Sequence, residues 1–224
     1  MLLFESMLDS VLVARDKWLA PNGILAPSHS SMHMALISSE EYIFDKFDFW
    51  RDCYGFKMDV FREDAFLDAQ IEVLHSREVA SDSCLLQNLN LSIVSLEELN
   101  FTSSFSLTFK EKSSNRMHGF VVWFDILFDG TMAGVQVSTQ NPKVESVQFT
   151  TSPYGIPTHW KQTLFILKEG LDVKVGDEFI GTIKVEKSPE NPRELITIMS
   201  YSHKSLRENG KTSFGEYQNT GFVR

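Results

Sequence analysis

The chain is expected to be mainly β: an antiparallel barrel or sandwich with one helix at its start and one aromatic-rich segment inserted near it. Three observations lead there. From Gln70 onward, short β-rich runs follow one another with turn residues between most of them. Residues 4 to 19 instead repeat apolar side chains at helical spacing. Between these regions, eight of the twenty positions from Tyr42 to Phe61 are aromatic.

The elements follow in chain order. Phe4, Met7, Leu8, Val11, Leu12 and Trp18 share one helical face, and Glu5, Asp9, Arg15 and Asp16 lie off it. Pro21-Asn22-Gly23 ends that helix. A strand-like stretch runs from Ile24 to Ile37, broken at Pro27 and Ser28. Residues 40 to 69 alternate acidic and aromatic side chains. They fit either a buried helical core or an arm that buries its rings on a partner; composition by itself favours the core. The strands are then expected over Ile71 to Leu74, Leu85 to Ile93, Phe105 to Phe109, Phe120 to Phe128, Thr163 to Leu167, Phe179 to Val185 and Leu195 to Met199. Phe105, Leu107 and Phe109 alternate with Ser106 and Thr108, as a strand buried on one face requires. Gly130 to Gln148 is polar and rich in turn residues, which predicts a surface loop.

Composition excludes several classes. With 21 basic and 30 acidic residues in 224, the net charge of −9 disfavours a nucleic-acid binder, which must displace counterions with cations. The same field would attract a cationic peptide. Cys53 and Cys84 are neither a metal knuckle nor a disulfide framework, so a reducing compartment is expected: the cytoplasm, with the nucleus as a second location. No apolar run approaches the length that crosses a membrane. His29, His33, His75, His118 and His203 lack metal-ligand spacing. Ser28-His29-Ser30 comes with no identifiable acid or oxyanion hole.

Three further stretches carry a resemblance. They are Phe4-Glu5-Ser6-Met7-Leu8-Asp9-Ser10-Val11-Leu12, continuing through Ala14-Arg15-Asp16-Lys17-Trp18-Leu19-Ala20-Pro21-Asn22-Gly23; Phe49-Trp50-Arg51-Asp52-Cys53-Tyr54-Gly55-Phe56-Lys57-Met58; and Thr158-His159-Trp160-Lys161-Gln162-Thr163. In this order and separation they resemble the second half of the double-glutamate loop, the dimerisation arm and the Thr-His-Trp loop of protein arginine N-methyltransferases of type I, the asymmetric-dimethylating kind. Together with Ser103 to Leu107, the first two are most similar to the zinc-finger-bearing branch.

The resemblance implies a fold, a chemistry and a set of residues. Residues 1 to 28 would be the last helix and the start of the last strand of a doubly wound domain that binds S-adenosylmethionine. Residues 29 to 39 and 70 to 224 would form the β-barrel on the substrate side, and residues 40 to 69 the dimerisation arm. Glu5 matches the second of two glutamates that grip the substrate guanidinium; the first would lie upstream of Met1. Two carboxylates suit a planar cation with five donors, since they bind it bidentately and fix its orientation. Met7 would stand near the target nitrogen. His159 would be catalytic and Trp160 would line the substrate side. Read alone, Glu5 is a solvated helix residue, Met7 a core residue and His159 a structural histidine. Phe49, Trp50, Tyr54 and Phe56 would make the dimer contact. S-adenosylmethionine would be the co-substrate of the complete enzyme, with none expected to bind these residues by themselves. Arginine-rich or Gly-Arg-rich proteins would be the substrates, with neither nucleic acid nor membrane as partner. The alternative is a non-catalytic module that dimerises or binds peptides.

Overall fold

The computed structural model describes residues 4–21, 23–110, 112, 114–129, 146–205 and 212–219. A 3-10 turn over Phe4–Ser6 leads into α1 (Met7–Trp18), and β1 (His29–Ile37) follows. The inserted segment contributes α2 (Glu40–Lys46), a 3-10 turn at Asp48–Asp52 and α3 (Asp59–Ala65). The strands are then β2 (Gln70–Glu72), β3 (Cys84–Asn90), β4 (Phe101–Thr108), β5 (Arg116–Phe128), β6 (Val147–Thr150), β7 (Gln162–Asp172), β8 (Glu178–Lys187), β9 (Leu195–Lys204) and β10 (Thr212–Asn219). They form two antiparallel sheets. One runs β2-β7-β5-β1-β3, with β6 also paired to β5; the other runs β10-β9-β8-β4.

Side-chain alternation decides where these strands sit. Phe105, Leu107 and Phe109 are buried and Ser106 and Thr108 exposed, so β4 turns one face inward, as its pattern requires. The middle of β5, Phe120 to Phe124, is an unbroken apolar run because both of its faces are covered there. Phe120, Val122 and Phe124 join Met32 and Met34 of β1 and Phe179, Ile183 and Met199 of the second sheet in the main core. Val121 and Trp123 point the other way, into a smaller core with Ala35, Ile37, Leu164 and Ile166.

Helical residues of the insertion close this second core. Phe47 is buried there and stacks on Phe66, with ring centroids 4.3 Å apart. Burying a phenylalanine in this way contributes roughly 1.5–3 kcal/mol. Beyond this root the segment turns outward: Phe44, Phe49, Tyr54, Phe56 and Phe61 are all exposed. The core reading that composition favoured therefore holds only for the root. Gly55 makes the turn at the tip, with φ 88° and its N–H donated to Asp52 Oδ1 at 2.8 Å.

The root is also fixed by polar contacts at Ser39. Its hydroxyl accepts from the Tyr42 N–H and so caps α2, and it donates to Glu78 Oε1 at 2.7 Å. Its backbone N–H donates to Nδ1 of the buried His118 at 3.0 Å, which requires the Nδ1 lone pair. Burial pushes the His118 pKa down; Glu40 and Asp48 oppose that shift and Arg116 reinforces it. The folded pKa thus lies below the unfolded value of about 6.5. Stability from this group is complete above about pH 6.5 and is lost as the pH falls through the folded value. The urea midpoint should drop between pH 7 and pH 5, and His118→Asn, whose side-chain oxygen can still accept, should flatten that drop. An identical pH profile in the variant would remove His118 as the cause.

The structure differs from the sequence reading in three places. Val147 and Gln148, expected in a loop, pair with Phe128 and Leu127 in β6; residues 130–145 of that loop lie outside the described residues. Strand β10 was not anticipated at all. The expected helix over residues 4 to 19 becomes a 3-10 turn followed by α1, because Glu5 and Ser6 adopt left-handed φ of 53° and 56°. Among the described side chains of its apolar face, Leu8 and Leu12 enter the core, whereas Met7, Val11 and Trp18 stay exposed.

Candidate functional site

Helix α1 is secured along its length. Leu8 and Leu12 anchor its middle in the main core. Near its C-terminal end, Arg15 Nη1 donates to the Leu91 and Val94 carbonyls, each at 2.8 Å. At its N-terminal end, Asp9 pairs with Lys187 and the Ser6 hydroxyl donates to the Pro192 carbonyl. Glu5 Oε1 lies 2.8 Å from Arg193 Nη2. The two left-handed residues each cost on the order of 1–2 kcal/mol, so contacts from outside the helix must hold the bend. The result is an exposed carboxylate at the edge of the molecule, with Met7, 68% exposed, beside it.

The Thr158-His159-Trp160 loop leads into β7 of the first sheet. The buried Gln162 braces it: its Oε1 accepts from the Leu74 N–H at 2.7 Å, and its Nε2 donates to the Thr151 carbonyl at 2.6 Å. Lys161 turns left-handed, with φ 52°, and its N–H donates to the Thr158 carbonyl. Its ammonium reaches Glu72 Oε2 at 3.3 Å, while Glu72 Oε1 holds Lys46 of α2 at 2.9 Å. Trp160 lies against Phe149 and Phe124, at centroid distances of 5.4 and 6.3 Å, and is half exposed. His159 is exposed, with its ring edge-on to Trp160 at 6.2 Å.

Glu5 and Met7 thus lie on one edge, and His159 and Trp160 on a loop of the first sheet. Among the described residues no hydrogen bond, ion pair or ring contact joins the two groups. The residue that sequence reasoning missed is Arg193, in the turn between β8 and β9. Ser28 and His29 are hydrogen bonded at 3.0 Å, but the Ser28 hydroxyl donates to the Leu127 carbonyl and accepts from the Asp129 N–H. These bonds make it a strand fastener.

Phe49, Trp50 and Tyr54 form an aromatic group at the tip of the insertion, where Phe56 pairs through its backbone with Cys53. Phe49 meets Trp50 and Tyr54 edge-on at 5.4 and 6.1 Å, and Trp50 leans on Phe61 at 5.3 Å. Tyr54 is 88% exposed and Phe56 72%. Rings left this open to water make an exposed apolar patch.

Two cavities among the described residues bear on a bound cofactor. One, of about 310 Å³, lies where the root of the insertion meets β5 and β7 and is lined by charged side chains including Asp48, Arg62 and Arg116. The other, of about 210 Å³, lies over β1 and β5 beside His29 and Asp125. Neither carries the glycine-rich strand-to-helix turn that holds a nucleotide-like cofactor.

Two antiparallel sheets on a shared core, with an aromatic arm inserted between the first two strands, define a β domain with a protruding arm. Residues 28–206 match the arginine methyltransferase oligomerization subdomain. Among curated proteins, protein arginine N-methyltransferase 1 of Schizosaccharomyces pombe is 36% identical over 201 residues, covering 90% of this chain and 55% of that protein. Protein arginine N-methyltransferase 1.1 of Arabidopsis thaliana is 35% identical, covering 90% and 48%. The chain spans about half the length of these relatives. Among solved structures, the Trypanosoma brucei PRMT1 enzyme–prozyme heterotetrameric complex with AdoHcy aligns with a TM-score of 0.79 at 25% identity, over 97% of this chain and 64% of that one. Arabidopsis thaliana protein arginine methyltransferase 10 aligns at 0.77 and 26%, over 97% and 66%. The chain belongs to the protein arginine methyltransferase family, through that family's oligomerization subdomain.

Proposed function

We propose that this chain is the substrate-side part of a protein arginine N-methyltransferase, acting on arginine-rich or Gly-Arg-rich proteins with S-adenosylmethionine as methyl donor. The family match over residues 28–206 carries the reading, and the exposed Glu5 carboxylate supports it. In this reading residues 1 to 28 belong to the donor-binding domain, 29 to 39 and 70 to 224 to the barrel, and 40 to 69 to the arm. In the full-length form the arm associates two copies through Phe49, Trp50, Tyr54 and Phe56.

The chemistry asked of these residues is orientation. A guanidinium shares its positive charge among three nitrogens, so none is a good nucleophile. A carboxylate that accepts from two of its N–H groups draws the charge toward them and leaves the remaining nitrogen richer in electrons. Glu5 is the carboxylate this chain offers. Met7 narrows the space around the target nitrogen. Trp160 supplies an apolar wall and His159 a hydrogen-bonding edge for the substrate-side surface.

Transfer of labelled methyl from S-adenosylmethionine to a Gly-Arg-rich peptide tests the proposal, with this chain compared against a form extended upstream of Met1. Labelling by the extended form is expected. Peptide binding or dimerisation by the extended form without any labelling would overturn the enzymatic reading in favour of a non-catalytic module.

A further inference from the structure

The contact between Glu5 and Arg193 joins opposite ends of the chain, and the turn that carries Arg193 is built to hold it still. Ser188 N–H donates to the Glu194 carbonyl at 2.8 Å, and Glu194 N–H to the Asn191 carbonyl at 2.9 Å. Asn191 Nδ2 donates to Glu194 Oε1 at 2.7 Å, and the Arg193 N–H donates to Asn191 Oδ1 at 3.2 Å. Pro189 and Pro192 restrict the backbone further. This turn also takes the Ser6 hydroxyl on the Pro192 carbonyl, and Lys187 beside it takes Asp9. Two side-chain contacts therefore bind the bend at Glu5 and Ser6 to one self-braced turn, and a third ties the first turn of α1 to the end of β8.

Stability does not explain the pair. Glu5 and Arg193 side chains are 45% and 66% exposed, and ion pairs that open to water contribute little to folding. What the contact does is fix a rotamer. It occupies Oε1 through a single guanidinium nitrogen, and Oε2 has no hydrogen-bond partner among the described residues. A second guanidinium can approach Oε2 while Arg193 stays on Oε1.

We infer that Arg193 is a positioning residue that holds the Glu5 carboxylate in the orientation that receives the substrate arginine. The inference rests on the substrate role proposed for Glu5. Its test is peptide affinity in a form of the protein that methylates, measured by calorimetry with a Gly-Arg-rich peptide for wild type, Arg193→Gln, Arg193→Lys, Glu5→Gln and the Glu5→Gln/Arg193→Gln double variant. Arg193→Gln should weaken peptide binding about tenfold with the melting temperature unchanged, and Arg193→Lys should recover most of the loss. In the Glu5→Gln background, removing Arg193 should add nothing, because the group it positions is already gone. Wild-type affinity in Arg193→Gln would overturn the inference. So would tighter binding, which would make Arg193 a competitor for Glu5, and so would an equal loss in both backgrounds. If Glu5→Gln itself leaves affinity unchanged, the substrate role of Glu5 falls and the inference with it. If Glu5→Gln weakens binding and Arg193→Gln does not, only the inference falls.

Discussion

Glu5→Gln is expected to lower kcat/KM for a Gly-Arg-rich peptide by at least about a hundredfold in an active form of the protein. The substitution keeps size and shape and removes one negative charge. A charge-assisted hydrogen bond contributes about 1.5–3 kcal/mol, which is one to two orders of magnitude in rate when it is made in the transition state. Poor alignment of the attacking nitrogen adds to that loss. Folding should be untouched, because Glu5 is exposed and belongs to neither core. Steady-state kinetics with labelled donor decide the matter, and near-normal turnover would exclude Glu5 from the clamp.

In the full-length protein, the paired substitution Trp50→Ala with Tyr54→Ala is expected to convert a dimer into monomers and to reduce activity with it. Tyr54 projects almost entirely into solvent and Trp50 supports the ring group beside it. Aromatic anchors of an interface commonly contribute about 2 kcal/mol each, so losing two should weaken association on the order of a thousandfold. Neither ring belongs to either core, so the barrel should melt as before. Mass by light scattering is the measurement. A double variant that remained dimeric would move the association surface elsewhere.

Legibility in the sequence tracked how local the cause was. The alternation at Phe105, Leu107 and Phe109 and the apolar run from Phe120 to Phe124 state their burial directly, and both were readable. Strands β6 and β10 were not. Val147–Thr150 has four residues, and Thr212–Asn219 is mostly polar with Gly215 inside it, so neither repeats an apolar period long enough to register. Their pairing is carried by backbone bonds to β5 and β9. The aromatic segment was ambiguous for another reason: Phe47 and Phe56 are the same residue type, and only the fold separates a buried root from an exposed tip. Glu5, Met7, His159 and Trp160 were found through resemblance to a family. Arg193 could not be, because its contact depends on a turn meeting a bend from the far end of the chain.

The two-sidedness of β5 has a consequence for how this protein can change. Its even positions, Phe120, Val122 and Phe124, answer to the space between the sheets, and its odd positions, Val121 and Trp123, to the seat of the arm. Because neighbouring side chains leave a strand on opposite faces, the two sets can drift separately over generations. A lineage can reshape how its arm is seated by altering Val121 or Trp123 and leave the barrel interior as inherited. A breeder of variants has the same freedom, working one strand as two independent dials.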